Sequence, residues 1–188
     1  MNAVERHRKN KSFALSVPKW HWSSLIVTIG NMGYLPKYEW SHWGSLSMSI
    51  LPPLALVLLG GHVSVLPTVI AIILSCALAN HALHHIAARG VESDHDASAI
   101  VIDEVAGSSV AMLAVPIMLP LLGWEPTLHN GLVCALFVGW VFRFFDIYKP
   151  FPANVFDTVW HHPFAVMADD LVAGFYAALV GVAFAIAV

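Results

Sequence analysis

Between Glu39 and Arg89 the chain carries no Asp, Glu, Lys or Arg. Three further stretches, 105–124, 126–142 and 171–188, are equally free of them. A helix needs about 17–25 predominantly apolar residues to cross the hydrocarbon core of a bilayer. The last three tracts each suit one crossing and the first suits two. Charged residues make up 11% of the 188 and hydrophobic ones 58%, whereas a soluble domain is about one quarter charged. The expected fold class is therefore all-α, a polytopic membrane helical bundle. The alternative is a very apolar soluble helical domain.

The pattern predicts about five spans, at roughly 44–60, 63–83, 104–123, 127–145 and 168–188. Segment 20–36 is apolar but broken by Gly30, Gly33 and Pro36, and it carries Trp20, Trp22 and Tyr34. Aromatics of this kind gather at membrane interfaces, so the segment reads as interfacial or re-entrant. Pro52 and Pro53 are expected to kink or interrupt the first span, and Pro116 and Pro120 to bend the third. Residues 1–19 form a basic tail with five of the nine Lys and Arg residues, which the positive-inside rule places in the cytoplasm. Residues 20–188 then make a single membrane-embedded domain. The tail is too short and mixed to indicate nucleic-acid binding. Cys76 and Cys134 lie in apolar segments and read as packing residues.

Counting crossings from the tail brings 84–103 and 143–170 to one face. Asp94, Asp96, Asp103, Glu104, Arg143, Asp146, Lys149, Asp157, Asp169 and Asp170 therefore meet at one side of the bundle. A charge at membrane depth costs about 2.5–3.5 kcal/mol on insertion scales. Acids at a helix start complement the macrodipole, which is a structural reason for Asp103–Glu104 and Asp169–Asp170. It does not account for Asp146, near the end of its helix. Arg143 and Asp146, three apart, share a helix face. Pro150 and Pro152 stop that helix and leave Lys149 at its mouth. Gly107 and Gly174 follow Asp103 and Asp170 by four residues, where small side chains let helices approach.

Clustered carboxylates repel one another unless positive charge sits among them. Mg²⁺ commonly joins a few carboxylates to substrate phosphates, and Arg and Lys suit phosphate as fork and point charge. The combination reads as phosphoryl chemistry on a lipid, although Arg143 and Lys149 also suit snorkelling or pairing with Asp146. His81, His84 and His85 have helical metal-ligand spacing, but a span end is an ordinary place for neutral His. His161 and His162, nearer the acids, suit proton transfer.

Three stretches carry a family resemblance. "DASAIVIDEVAG" (96–107), "FRFFDIYKPFP" (142–152) and "MADDLVAG" (167–174), with Phe156-Asp157 between the last two, resemble the phosphatidylglycerophosphatase A family in order and spacing. The resemblance implies an all-helical integral membrane phosphatase that uses Mg²⁺ to convert phosphatidylglycerophosphate to phosphatidylglycerol. The enzyme would sit in the bacterial inner membrane with its site on the cytoplasmic side. It carries over Asp96, Asp103, Glu104, Asp146, Asp169 and Asp170 as metal-site residues, all but Asp96 also catalytic, with Arg143 and Lys149 on the substrate phosphate. Ser45 and His162 complete the substrate-binding candidates. The sequence departs from the family at 40–42, where Trp-Ser-His stands in place of Pro-Gly-Thr, and at 162–165, where His-Pro-Phe-Ala replaces a glycine-rich turn. The alternatives are a phosphatase of another phosphorylated lipid or a polyprenyl phosphate, a cation transporter or channel, and a catalytically inactive relative.

Overall fold

The computed structural model describes residues 17–35, 37–38, 41–88, 100–158 and 165–188. The side chains of 37–38, 41–45, 156–158 and 165–166 lie outside that description. Helices dominate the described residues. Near the start are α1 (Trp22–Val27) and a 3₁₀ turn (Met32–Tyr34). A two-residue antiparallel ladder pairs β1 (Lys37–Tyr38) with β2 (Ser41–His42). Then come α2 (Trp43–Leu58), α3 (Val65–Ala87), α4 (Ile102–Met112), α5 (Val115–Leu121), α6 (Leu128–Tyr148), α7 (Ala153–Thr158) and α8 (Ala165–Ala187).

Four segments are long and apolar enough to cross a membrane: Val65–Ala87, Ile102–Leu121, Leu128–Tyr148 and Met167–Ala187. The first expected span is α2, with 16 residues. At 1.5 Å per residue it reaches about 24 Å, short of a hydrocarbon core of about 30 Å. Segment 20–36 holds only the six-residue α1 and the 3₁₀ turn, so it does not form a spanning helix. Val17 is buried in a core cluster with Val27, Leu83, Ile100 and Met167, and Lys19 lies over the Tyr34 ring.

The prolines behave in two ways. α4 ends at Met112, whose carbonyl is the one that Pro116 cannot bond, and tight turns at Leu113 and Ala114 lead into α5. The expected bend of the third span is this break. α2 instead runs unbroken through Pro52 and Pro53, so the expected interruption is absent. Pro52 has no N–H for the Met48 carbonyl. The Ser108 hydroxyl of α4 lies 3.4 Å from that carbonyl and 3.3 Å from the Val105 carbonyl, so its one proton is shared between them and replaces only part of the lost bond.

α4 and α8 form the tightest pair in the bundle. A Cβ on Gly107 would stand 2.5 Å from the Asp170 carbonyl oxygen, and one on Gly174 would strike the Gly107 carbonyl. Only glycine fits at this crossing. Phe142 of α6, Met112 of α4 and Ala173 and Ala177 of α8 close the core around it. Cys134 is buried in the same core, and both cysteines are free thiols. The effect is to bring the starts of α4 and α8 and the end of α6 to one rim.

Candidate active site

Three helices deliver charge to that rim. Asp103 and Glu104 occupy the first turn of α4, as expected of acids near a helix start. The Asp103 carboxylate accepts the Glu104 N–H at 3.0 Å. Asp169 and Asp170 repeat the arrangement, with Asp169 accepting the Asp170 N–H at 3.0 Å. These two, however, lie beyond the first turn of α8, which begins at Ala165. The macrodipole therefore explains them less well than it explains Asp103 and Glu104. Glu104, Asp169 and Asp170 are all buried, Asp170 at 3% exposure. Buried carboxylates are retained only with partners.

For Glu104 and Asp169 the partners are the two bases of the 142–152 stretch. Arg143 reaches Asp146 on its own helix at 2.5 Å and Glu104 of α4 at 3.5 Å. It therefore links two helices, and it accounts for an acid at the unfavourable end of α6. Lys149 caps α6 in a left-handed conformation, φ 45°, and its Nζ meets Asp169 of α8 at 2.5 Å. Its backbone N–H donates to the Phe145 carbonyl at 2.8 Å. The turn beyond is fastened by Tyr176 of α8, whose hydroxyl donates to the Phe151 carbonyl at 2.7 Å. Sequence reading missed Tyr176. The signal was present, since a tyrosine within an apolar helix needs a partner for its hydroxyl. Ser108 was missed for the same kind of reason.

The five acids form one electrostatic cluster. Asp103 interacts with Asp169, Asp146 and Lys149. Asp170 interacts with Asp146, Asp103, Asp169 and Glu104. Of the ten residues expected to form the site, Asp103, Glu104, Arg143, Asp146, Lys149, Asp169 and Asp170 come together. Ser45 falls within α2, with its side chain outside the described residues, and Asp96 and His162 lie outside them altogether, as does His161. Of His81, His84 and His85, the first and last pack against aromatic rings. His81 stacks on Trp22 at 5.3 Å, and His85 lies 4.7 Å from Trp22 and 5.1 Å from His21.

Whether this cluster suits a divalent cation is decided by its donors. They are all carboxylate oxygens, and five acids face two bases. That is the hard donor set and surplus of negative charge that Mg²⁺ takes up. Among the described residues no three acids, histidines or cysteines already close into a metal-holding group. Mg²⁺ does not require one, because it is usually held by one or two carboxylates with water and substrate phosphates filling the remaining positions. The residues fit the ion.

A helical membrane bundle that gathers carboxylates, an arginine and a lysine at one lip is the make-up of a membrane-embedded phosphohydrolase. The comparisons with known proteins agree. The sequence profile of the phosphatidylglycerophosphatase A family matches residues 25–185. A phosphatidylglycerophosphatase A of Haemophilus influenzae is 37% identical over 138 residues, which cover 73% of this chain and 74% of that protein. A phosphatidylglycerophosphatase A of Escherichia coli is 36% identical over 80 residues, 43% of this chain and 40% of that protein. No solved structure matches. The chain belongs to the phosphatidylglycerophosphatase A family, and with it to the phosphatases.

Proposed function

We propose that this protein hydrolyses the terminal phosphate monoester of phosphatidylglycerophosphate, with Mg²⁺, to give phosphatidylglycerol and inorganic phosphate. The observation that carries the proposal is the meeting of Asp103, Glu104, Asp146, Asp169 and Asp170 with Arg143 and Lys149 at one rim of an apolar bundle. A lipid headgroup lies at the depth of such a rim while its acyl chains stay in the hydrocarbon. Family membership and the names of two relatives support the substrate.

The carboxylates would hold the cation, with Asp96, seven residues before Asp103, a further candidate that the family resemblance carries over. When bound, Mg²⁺ supplies Lewis acidity, drawing charge from a phosphoryl oxygen and easing the deprotonation of water. Arg143 and Lys149 exchange part of their pairing with Asp146 and Asp169 for the phosphoryl oxygens. Two positive side chains fixed near developing negative charge stabilise the transition state more than the ground state. Water attacks phosphorus, the bond from phosphorus to the glycerol oxygen breaks, and that oxygen takes up a proton. One carboxylate of the cluster accepts the proton of the attacking water. Ser45 and His162 are further candidates for headgroup contacts. The basic residues of the N-terminal tail favour a site facing the cytoplasm, in a bacterial inner membrane.

The test is phosphate release by detergent-solubilised protein from phosphatidylglycerophosphate, phosphatidic acid and a polyprenyl phosphate, each with Mg²⁺ and with chelator. The proposal expects Mg²⁺-dependent release, fastest on phosphatidylglycerophosphate. A higher kcat/KM on another of these lipids would reassign the substrate. Release unaffected by chelator would remove the metal.

A further inference from the structure

Lys149 is one of the two bases assigned to the substrate phosphate, yet its backbone stands in the left-handed region, φ 45°. A residue other than glycine keeps that conformation only where its surroundings hold it. The chain continues through Pro150, Phe151 and Pro152. The proline carbonyls bond locally: that of Pro150 accepts the Ala153 N–H at 2.8 Å and that of Pro152 the Val155 N–H at 2.9 Å. The Phe151 carbonyl instead crosses to another helix, where it accepts the Tyr176 hydroxyl of α8 at 2.7 Å.

Tyr176 grips the chain on both sides of Lys149. Its hydroxyl holds Phe151, two residues after the lysine. Its ring centre lies 5.5 Å from that of Phe145, and the Phe145 carbonyl accepts the Lys149 N–H at 2.8 Å. Tyr176 also shares a face of α8 with Asp169, seven residues earlier, and Asp169 is the acid that Lys149 Nζ meets at 2.5 Å. Asp169 is about 10 Å nearer the rim. Helical side chains lean toward the N-terminus of their helix, so the tyrosine hydroxyl reaches back up to the turn. α8 therefore carries both the acid that holds the tip of Lys149 and the hydroxyl that holds its root.

The second hold matters during the reaction. Once the Lys149 ammonium leaves Asp169 for a phosphoryl oxygen, the ion pair with α8 is gone and the tie through Phe151 remains. We propose that Tyr176 is a positioning residue for the reaction: it keeps the main chain at Lys149 in place while the side chain exchanges Asp169 for the substrate phosphate. This rests on the lipid-phosphatase reading above and adds to it a residue that acts through Lys149. α7 also packs against α8, so losing the hydroxyl loosens the turn without freeing it.

The experiment measures kcat/KM for phosphate release from phosphatidylglycerophosphate in the wild type, Tyr176→Phe, Lys149→Ala and the double variant, with folding checked by thermal melting in detergent. Phenylalanine keeps the ring against Phe145 and removes only the hydroxyl. Tyr176→Phe alone is expected to lose about fivefold, the scale of one neutral hydrogen bond. In the Lys149→Ala background it is expected to cause no further loss. A residue that only braces the bundle would lower kcat/KM by the same factor in both backgrounds. That result overturns the proposal, as does a wild-type value in Tyr176→Phe. Lys149→Ala by itself separates this inference from the reading beneath it. A wild-type value there removes Lys149 from the phosphate and the role of Tyr176 with it. A loss there, combined with equal factors for Tyr176→Phe, removes the role of Tyr176 alone.

Discussion

The spans 65–87 and 102–121 are both apolar enough to cross a membrane, yet 22% of the first and 56% of the second is buried within the bundle. Hydropathy does not separate them. α3 turns Val69, Ile70, Ile73, Leu74 and Leu78 outward, where lipid serves as well as protein. The 102–121 span carries Gly107, Ser108 and Ser109, and it opens with Asp103 and Glu104. Small residues permit backbone contact, and acids at the rim demand partners. In lipid, where apolar burial drives little association between helices, these features decide which helix becomes central.

The largest effect expected from disturbing the central helices is chemical. Asp170→Asn keeps the shape of a buried side chain and removes its charge, so phosphate release is expected to fall by about 10²–10³-fold while the protein stays folded by thermal melting in detergent. Gly107→Ala comes next. Its new methyl would meet the Asp170 carbonyl at 2.5 Å, and overpacking of this kind costs about 1–3 kcal/mol. Melting should fall accordingly, and activity with it, because the displaced backbone belongs to Asp170. Ser108→Ala removes the donor to the carbonyl orphaned by Pro52 and is expected to cost about 1 kcal/mol, measured the same way. On the lipid-facing helix, Ile73→Ala should stay within about 0.5 kcal/mol. A loss there as large as that of Gly107→Ala would show that α3 is packed against a partner rather than lipid, and the contrast between the two spans would collapse.

Much of this was legible from residue order. The charge-free tracts located the helices, and parity of crossing brought the acid clusters to one rim. The spacing from Asp103 to Gly107 and from Asp170 to Gly174 marked the close crossing, and Pro116 marked the break after Met112. Other features depended on partners remote in sequence. The continuity of α2 through Pro52 and Pro53 draws on Ser108, sixty residues away. Arg143 reaches across to Glu104, and Lys149 pairs with Asp169 of α8. Spacing along one helix reveals only same-helix partners, so these choices waited for the packing. The end of α2 was placed two residues too far, since apolar composition continues through the turn at Gly60 and Gly61 while the helix ends at Leu58.

The central claim is that carboxylates from α4, α6 and α8 make one cation site. Binding of Mn²⁺, as a paramagnetic stand-in for Mg²⁺, can be followed by electron paramagnetic resonance in the wild-type protein and in Asp103→Asn, Asp146→Asn and Asp170→Asn. Each variant removes one acid from a different helix. The account predicts that at least one of these substitutions weakens Mn²⁺ binding at least tenfold; wild-type binding in all three would contradict it.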